Sequence, residues 1–155
     1  MIQDSFTLRQ AKSADHPRLR SFDARLIGEA ELPGAAQADF ARFQAAFTAR
    51  ALDDSAATII VAVDSAETIL GYVHLTETQD DVLGVALGYV SIIAVAESAG
   101  GKGIGRALMA AAEAWAKEWN YPALVLDVFA SNGTARRFYA AQGFAEDSLR
   151  LRKPL

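Results

Sequence analysis

The chain has 155 residues, a length typical of one domain, and we expect a single domain over residues 1–155. Hydrophobic residues make up 52% of the chain and charged residues 22%, a balance that supplies a core and differs from that of a disordered segment. The formal net charge of −4 gives no general attraction for nucleic acid or an anionic membrane, so neither is an expected partner. Cysteine is absent, which excludes disulfides and a thiol nucleophile.

The N-terminal stretch "MIQDSFTLRQ" lacks the basic and apolar regions of a secretory signal. The longest apolar runs, "TIIVAV" and "IIAVA", are too short to span a bilayer. We therefore expect a cytoplasmic protein. The two histidines, His16 and His74, have no carboxylates at ligand spacing around them, so no metal is expected.

The first third of the chain predicts one strand followed by two helices. "SFTLRQA" has the character of a strand, and "KSADHPRLRSFDARLIGEAELPG" then shows helical spacing with Asp15 as a plausible N-cap. Pro33 and Gly34 end this first helical region. "AQADFARFQAAFTARALDD" resumes the helical pattern. The apolar faces of the two regions are predicted to hold Leu19, Phe22, Leu26 and Ile27, and Phe40, Phe43, Phe47 and Leu52.

The middle of the chain predicts an antiparallel meander. "ATIIVAVDSAETILGYVHLTETQD" reads as two strands joined by a polar turn at residues 64–68, and "LGVALGYVSIIAVA" is a third strand. A glycine turn, a helix from about Gly105 to Trp119 and a strand at "ALVLDVFA" follow. The helix is expected to bury one stripe of side chains, formed by Ile104, Leu108, Ala112, Trp115 and Trp119.

The last part of the chain predicts a short helix capped by Ser131 or Asn132, with Gly143 as its C′ residue, and a terminal strand near "SLRLRK". These elements together predict an α/β fold with a mixed sheet. The sheet is expected to be antiparallel at first and parallel around the helix that follows the glycine turn.

The glycine turn "AGGKGIGRAL" places Gly101, Gly103 and Gly105 directly before that helix. A helix start exposes unpaired N–H groups and the positive end of the helix dipole, which suits a phosphate, and glycine keeps side chains away from those amides. The alternative is that the glycines merely permit a tight turn. The dinucleotide fingerprint fails because Arg106 stands where its third glycine is needed, and Walker A fails because Gly103 replaces Ser or Thr.

"IIAVAESAGGKGIGRALMAAAEAWA" followed by "LVLDVFASNGTARRFYAAQGF" resembles the GCN5-related N-acetyltransferase (GNAT) family. The resemblance covers roughly residues 58–151 and implies a GNAT-type mixed, mostly antiparallel sheet flanked by helices. Two splayed parallel strands, "SIIAV" and "LVLDVF", are then expected at the cofactor site. The motif residues are the G-x-G at Gly103 and Gly105, and the spaced Asn132, Ala135, Phe138, Tyr139, Gly143 and Phe144.

The resemblance implies acetyl-CoA as cosubstrate, with its pantetheine arm bonded to backbone near Ile93 and Val95. Asn132 either caps its helix or contacts the cofactor. Relatives usually carry Arg or Gln three residues before the G-x-G, where this chain has Gly100. The pyrophosphate is expected on the segment formed by Gly100, Gly101, Lys102, Gly103, Ile104, Gly105 and Arg106.

The implied activity is acetyl transfer to a primary amine of a small molecule or peptide. Tyr139 is the implied acid that protonates the leaving thiolate, and the alternative is that it only packs beside Phe138. Many relatives have a carboxylate on the strand before the turn, where this chain offers Tyr89 and Ser91. The remaining candidates for a base, acting through water, are Glu29, Glu31, His74 and Asp127.

A second interpretation is a catalytically impaired module that binds acyl-CoA as a sensor or scaffold, which the missing carboxylate and Gly100 favour. Relatives are often homodimers, so a homodimer is one expected assembly. The acceptor pocket is expected between the "GEAELPG" connection, the strand residues Tyr72, His74, Tyr89 and Ser91, and the terminal "EDS" turn.

Overall fold

The computed structural model of the chain describes residues 5–155. Among these residues five strands form one sheet in chain order, antiparallel except for the last pair, which is parallel. The strands are β1 (Thr7–Gln10), β2 (Thr58–Val63), β3 (Ile69–Asp80), β4 (Val85–Val95) and β5 (Leu124–Val125). The meander is therefore confirmed.

Five α-helices flank the sheet within the described part of the chain. They are α1 (His16–Arg20), α2 (Asp23–Ile27), α3 (Gln37–Asp53), α4 (Ile104–Glu118) and α5 (Gly133–Ala141). Short 3-10 turns cover Ser13–Asp15 and Glu97–Ala99. This mixed architecture, with a mostly antiparallel sheet between helices, agrees with the predicted fold class.

The sheet separates two apolar layers because side chains alternate between its faces. On one face Val73, Leu75 and Val90 pack against α4 through Leu108 and Ala112. On the other face Val61, Tyr72 and Ile92 pack against α1 to α3, where Leu19, Phe22 and Leu52 are buried. The polar turn between β2 and β3 is also as predicted, since Asp64 Oδ1 accepts hydrogen bonds from the N–H groups of Ala66 and Thr68 at 2.9 and 2.8 Å.

The first helical region differs from the prediction. It forms a 3-10 turn and two separate short helices with a turn at Ser21 and Phe22 between them, and Leu19 and Phe22 are both buried in the core. Asp15 occupies the N-cap position of α1, as predicted, but its side chain makes no capping bond there. Its carboxylate accepts from the Lys12 N–H at 2.7 Å and from Arg9 at 2.8 Å.

The predicted strand at "ALVLDVFA" is much shorter than expected, because only Leu124 and Val125 pair with β4. The predicted terminal strand near "SLRLRK" is wrong, since residues 145–155 contain no strand and the side chains of Leu149 and Leu151 are exposed. Two aromatic side chains are also outside the predicted core. Trp119, the last residue of the predicted stripe of α4, has 63% of its surface exposed, and Phe43 on α3 has 53% exposed.

No helix within residues 5–155 has both the length and the apolar character needed to cross a membrane.

Candidate active site

The parallel strands β4 and β5 separate after a single step of pairing. Gly88 and Tyr89 pair with Leu124 and Val125, and β4 then continues alone on that side to Val95. The register of β3 against β4 shifts between His74 and Leu75, which leaves Ser91 as the extra residue of a β-bulge. Such a bulge bends a strand, and here it stands where β4 diverges from β5.

The open edge of β4 carries unpaired backbone groups. The N–H of Ala96 donates to the Leu70 carbonyl at 2.8 Å, toward β3. Because successive N–H groups of a strand point to opposite sides, those of Ile93 and Val95 point away from β3, into the gap beside β5. The Val95 carbonyl at this edge accepts a hydrogen bond from Arg25 Nε of α2 at 3.2 Å.

The glycine turn leads from this edge into α4. Gly101 and Gly103 have φ values of 76° and 80°, which a residue with a side chain adopts only with strain. Gly103 is the N-cap of α4 and makes no side-chain capping bond, and the N–H of Ala107 is bonded to the Gly103 carbonyl at 3.0 Å. The N–H groups of Ile104, Gly105 and Arg106 therefore lack intrahelical partners.

Gly100 and Gly105 have different roles from these two. The φ of Gly100 is −60°, which any residue can adopt, but a Cβ atom there would lie 3.3 Å from the Glu97 carbonyl oxygen, a tight contact that the turn must relieve by a small shift. A Cβ atom on Gly105 would lie 3.3 Å from the ring of Phe138 and 3.8 Å from Cγ2 of Val95. Gly105 thus allows the start of α4, the end of β4 and α5 to meet closely.

Lys102 and Arg106 are exposed on the same turn, whereas the Ile104 side chain is fully buried, so Ile104 has only its backbone amide to offer a ligand.

Helix α5 brings two further predicted residues toward this turn. Asn132 is the N-cap of α5, and its Oδ1 accepts from the Ala135 N–H at 3.1 Å, which decides between Asn132 and Ser131 as the helix cap. Tyr139 packs edge-on against Phe138 and Phe144, with ring centroids 5.4 and 5.9 Å apart. Burial raises the pKa of the Tyr139 phenol.

The hydroxyl of Tyr139 makes no hydrogen bond with any residue that the structure describes. Because burial raises its pKa, the phenol keeps its proton at neutral pH and has that proton available for a ligand.

Of the first two candidate bases, Glu29 is engaged through its carboxylate and Glu31 only through its backbone N–H. The Glu29 carboxylate accepts a hydrogen bond from the Thr134 hydroxyl of α5, and this bond lowers its pKa. The N–H of Glu31 donates to Ser131 Oγ at 2.8 Å, and the Glu31 side chain is exposed. These two bonds join the connection after α2 to the start of α5. The lowered pKa makes the Glu29 carboxylate a weaker base.

The other two candidates lie on the α3 side of the sheet. Asp127 follows β5, and its Oδ2 accepts from the Tyr89 hydroxyl at 2.9 Å across the gap between the strands. His74 is 1% exposed, and its Nε2 lies 2.7 Å from the Ala51 carbonyl, so Nε2 carries the proton. Burial lowers the pKa of His74, which favours the neutral ring.

A cleft, here called the α3 groove, lies between α3 and the surface of β3 and β4, and its lining residue Tyr89 links it to Asp127 through the hydroxyl bond. It has a volume of about 220 Å³. Of the residues predicted for the acceptor pocket, His74, Tyr89 and Ser91 line this groove. Tyr72, which is buried against Phe22, does not, and neither do the "GEAELPG" and "EDS" segments. Its residues from α3 include Phe47, Arg50 and Asp54, and Thr76 completes the sheet side.

The open edge of β4 lies beside the uncapped start of α4. An α/β domain that combines these two features defines a class of protein. The family model for the acetyltransferase (GNAT) family matches residues 22–144, and the chain belongs to this family. The resemblance given by the glycine turn and by α5 is thereby confirmed.

Comparison with individual proteins agrees with this assignment. The chain is 34% identical over 91 residues to a mycothiol acetyltransferase of Renibacterium salmoninarum; the match covers 58% of this chain and 27% of that protein. A candidate acetyl transferase from Pyrococcus furiosus has a similar structure, with a TM-score of 0.81, 25% identity, and coverage of 97% of this chain and 100% of the other.

An aminoglycoside N-acetyltransferase solved in complex with CoA shares the fold, with a TM-score of 0.71 and 18% identity over 97% of this chain and 95% of that one.

Two residues near the candidate site, Arg25 and Arg50, belong to no sequence pattern that would predict their positions. Arg25 is one of several arginines near the N-terminus, and only the crossing of α2 over β4 brings it to Val95. Arg50 lies at an exposed position of a long helix, and only the packing of α3 on the sheet places it at the groove.

Within residues 5–155 no group of three or more side chains could hold a metal ion.

Proposed function

We propose that the protein transfers an acetyl group from acetyl-CoA to a primary amine of a small molecule or peptide. The observation that carries the proposal is the open edge of β4 at Ile93 and Val95, which leads directly into the uncapped start of α4. Unpaired strand amides suit an extended chain that carries amide groups, and an uncapped helix start suits a pyrophosphate. Acetyl-CoA contains both groups in that order.

The binding residues then have separate tasks. The backbone amides of Gly101 to Arg106 hold the pyrophosphate, with Lys102 and Arg106 adding positive charge beside it. Gly100 contributes no side-chain donor. The N–H groups of Ile93 and Val95 bind the pantetheine arm and the acetyl carbonyl. Asn132 holds the start of α5, and the cap leaves its amide nitrogen available to the cofactor.

Bound acetyl-CoA supplies a thioester: the amine nitrogen bonds to its carbonyl carbon, the carbon–sulfur bond breaks, and the thiolate leaves. The Tyr139 hydroxyl gives its proton to that sulfur, since a phenol with a reference pKa of about 10 is a suitable donor to a thiolate whose acid has a pKa of about 8.5. The acceptor must first lose one proton from its ammonium form to water, because β4 carries no carboxylate at its open edge. The nitrogen then loses a second proton to water as the amide forms.

The test is to incubate the protein with acetyl-CoA and a panel of primary amines, and to measure released CoA and the acetylated product by mass spectrometry. The panel includes amino acids, polyamines, an aminoglycoside and peptides with free N-termini. We expect CoA release that depends on the amine and one product heavier by a single acetyl group. Tight binding of acetyl-CoA without any acetylated product would instead support the impaired sensor or scaffold, and the absence of binding would overturn both readings.

A further inference from the structure

The α3 groove is small for a ligand site. Its volume of about 220 Å³ is below the roughly 300 to 1,000 Å³ that is typical of pockets for drug-sized molecules. It therefore fits a molecule of amino-acid size, or the end of a longer one. Its walls combine an apolar ring, Phe47, with the polar side chains of Thr76, Tyr89 and Ser91.

Arg50 supplies a positive charge at this groove. Its guanidinium makes no hydrogen bond or ion pair with any residue in the described range 5–155. Arg42, on the same helix, is by contrast paired with Asp39. Asp54 also lines the groove, but its Oδ1 accepts from the Ala56 N–H at 2.9 Å and it does not pair with Arg50. A guanidinium with unused donors is suited to a planar carboxylate.

A negative charge lies where the same groove approaches the open edge of β4. Tyr89 lines the groove, and its hydroxyl donates to Asp127 Oδ2 at 2.9 Å. Burial, together with this bond, raises the pKa of Tyr89, so the phenol stays a donor and keeps the carboxylate oriented. A carboxylate has four lone-pair sites, so Asp127 can still accept from an ammonium group.

We propose that the α3 groove selects an acceptor that carries a carboxylate as well as its primary amine, with Arg50 binding the carboxylate and Asp127, oriented by Tyr89, binding the ammonium. The inference rests on the proposed function for its reaction, since it names the acceptor class of that same site. The binding step can be measured without turnover.

The first measurement is calorimetric titration of the CoA-saturated protein with straight-chain ω-amino acids of increasing length and with their methyl esters. Each ester keeps the amine and the chain and removes only the negative charge. We expect the preferred acid to bind about tenfold more tightly than its ester, which corresponds to about 1.4 kcal/mol. Equal affinity of every acid and its ester, or no binding of any acid at millimolar concentration, would overturn the proposal.

Variants then assign the preference to a residue. In Arg50→Gln the ratio of the Kd for the ester to the Kd for the acid should fall close to one. The control Arg42→Gln, on the same helix outside the groove, should keep the ratio of the unaltered protein. Asp127→Asn should weaken acid and ester by the same factor, because both carry the ammonium. A ratio unchanged by Arg50→Gln would contradict the assignment.

The acetylation assay separates the two proposals. Acids that bind with the expected ratio but are not acetylated would leave the groove assignment standing and remove the proposed function. Acetylation of amines with no preference for a carboxylate would leave the proposed function standing and remove the groove assignment.

Discussion

Tyr139 is the residue on which the proposed chemistry depends most. Its ring is held between Phe138 and Phe144, and its hydroxyl has no partner among residues 5–155. Replacement by phenylalanine keeps the packing and removes the proton. General acid catalysis contributes roughly 10²- to 10⁴-fold, so kcat of Tyr139→Phe should fall by that factor while the Kd for acetyl-CoA stays nearly constant.

Steady-state kinetics and calorimetry measure both quantities. Tyr121→Phe is the matched control, because it also removes a phenol, one that bonds to Glu77 at 2.8 Å away from the proposed site. Full activity in Tyr139→Phe would return this residue to a purely packing role.

The raised pKa of Tyr139 predicts the shape of the pH profile. A donor with a raised pKa stays protonated until the pH exceeds its ordinary value of about 10. The acceptor must lose a proton before it reacts, so kcat/KM should rise with pH through the pKa of the amine, near 8 for an α-amino group, and should not fall before about pH 10. A falling limb below about pH 9 would indicate a different acid.

Gly100 tests whether the anion is held by backbone alone. Its φ of −60° is open to any residue, so Gly100→Arg places a donor beside the turn at an allowed φ and has to relieve only the 3.3 Å approach of its Cβ atom to the Glu97 carbonyl oxygen. A hydrogen bond to a charged group contributes about 1.5 to 3 kcal/mol, and solvent exposure of the loop reduces this to about 1 kcal/mol. Calorimetry at low salt should show CoA binding tightened by about threefold to tenfold.

Ser98→Arg, in the preceding 3-10 turn, adds the same charge at another exposed position and should have a smaller effect. Weaker CoA binding by folded Gly100→Arg would mean that the turn binds its anion by a geometry that a side chain here only disturbs.

The turn and α4 form one element, and Gly103 fixes its start in a left-handed conformation with φ of 80°. Gly103→Ala should lower the free energy of unfolding by about 1 to 2 kcal/mol, the cost of that conformation for a residue with a Cβ atom. It should also weaken CoA binding, because the amides of α4 are displaced. Denaturant unfolding and calorimetry measure the two effects.

Gly100→Ala is the control for Gly103→Ala, since it adds the same methyl group to the same turn at a negative φ, where that methyl carbon lies 3.3 Å from the Glu97 carbonyl oxygen. Equal losses of stability in both variants would contradict the assigned role of the left-handed conformation.

The elements that the sequence predicted well are those with strong local periodicity. The meander and α4 agree with the structure because the runs rich in branched apolar residues in β2 to β4, and the stripe from Ile104 to Trp115, are local patterns. "ALVLDVFA" has the same strand character but pairs over only two residues, because pairing also depends on where β4 runs. "SLRLRK" alternates without any neighbouring strand to pair with in the described structure.

In the candidate site, too, residues in short sequence motifs could be predicted, whereas contacts between distant segments could not. Gly103, Asn132 and Tyr139 belong to short motifs, and a sequence pattern could single them out. The bulge at Ser91 and the contact of Arg25 with Val95 depend on how distant segments pack, so no pattern indicated them. The meeting of Arg50 and Tyr89 in one groove is of the same kind.

For the molecule as a whole, the gap between β4 and β5 organises both proposed ligand sites. On the α4 side of the sheet lie the glycine turn and the aromatic residues of α5, and on the α3 side lie Tyr89, Asp127 and the α3 groove. An acetyl donor and an amine acceptor can therefore approach the same strand edge from opposite faces. Such an approach is what the proposed direct transfer, without a covalent intermediate on the protein, requires.

The central claim is that this gap and the turn beside it bind acetyl-CoA, and backbone-amide NMR of the whole chain tests it most directly. Titration with acetyl-CoA should shift the amide signals of Ile93, Val95 and residues 101–106 in a saturable manner, whereas NAD and ATP at the same concentrations should shift them little. Equal shifts with all three ligands, or shifts confined to other parts of the chain, would contradict the account.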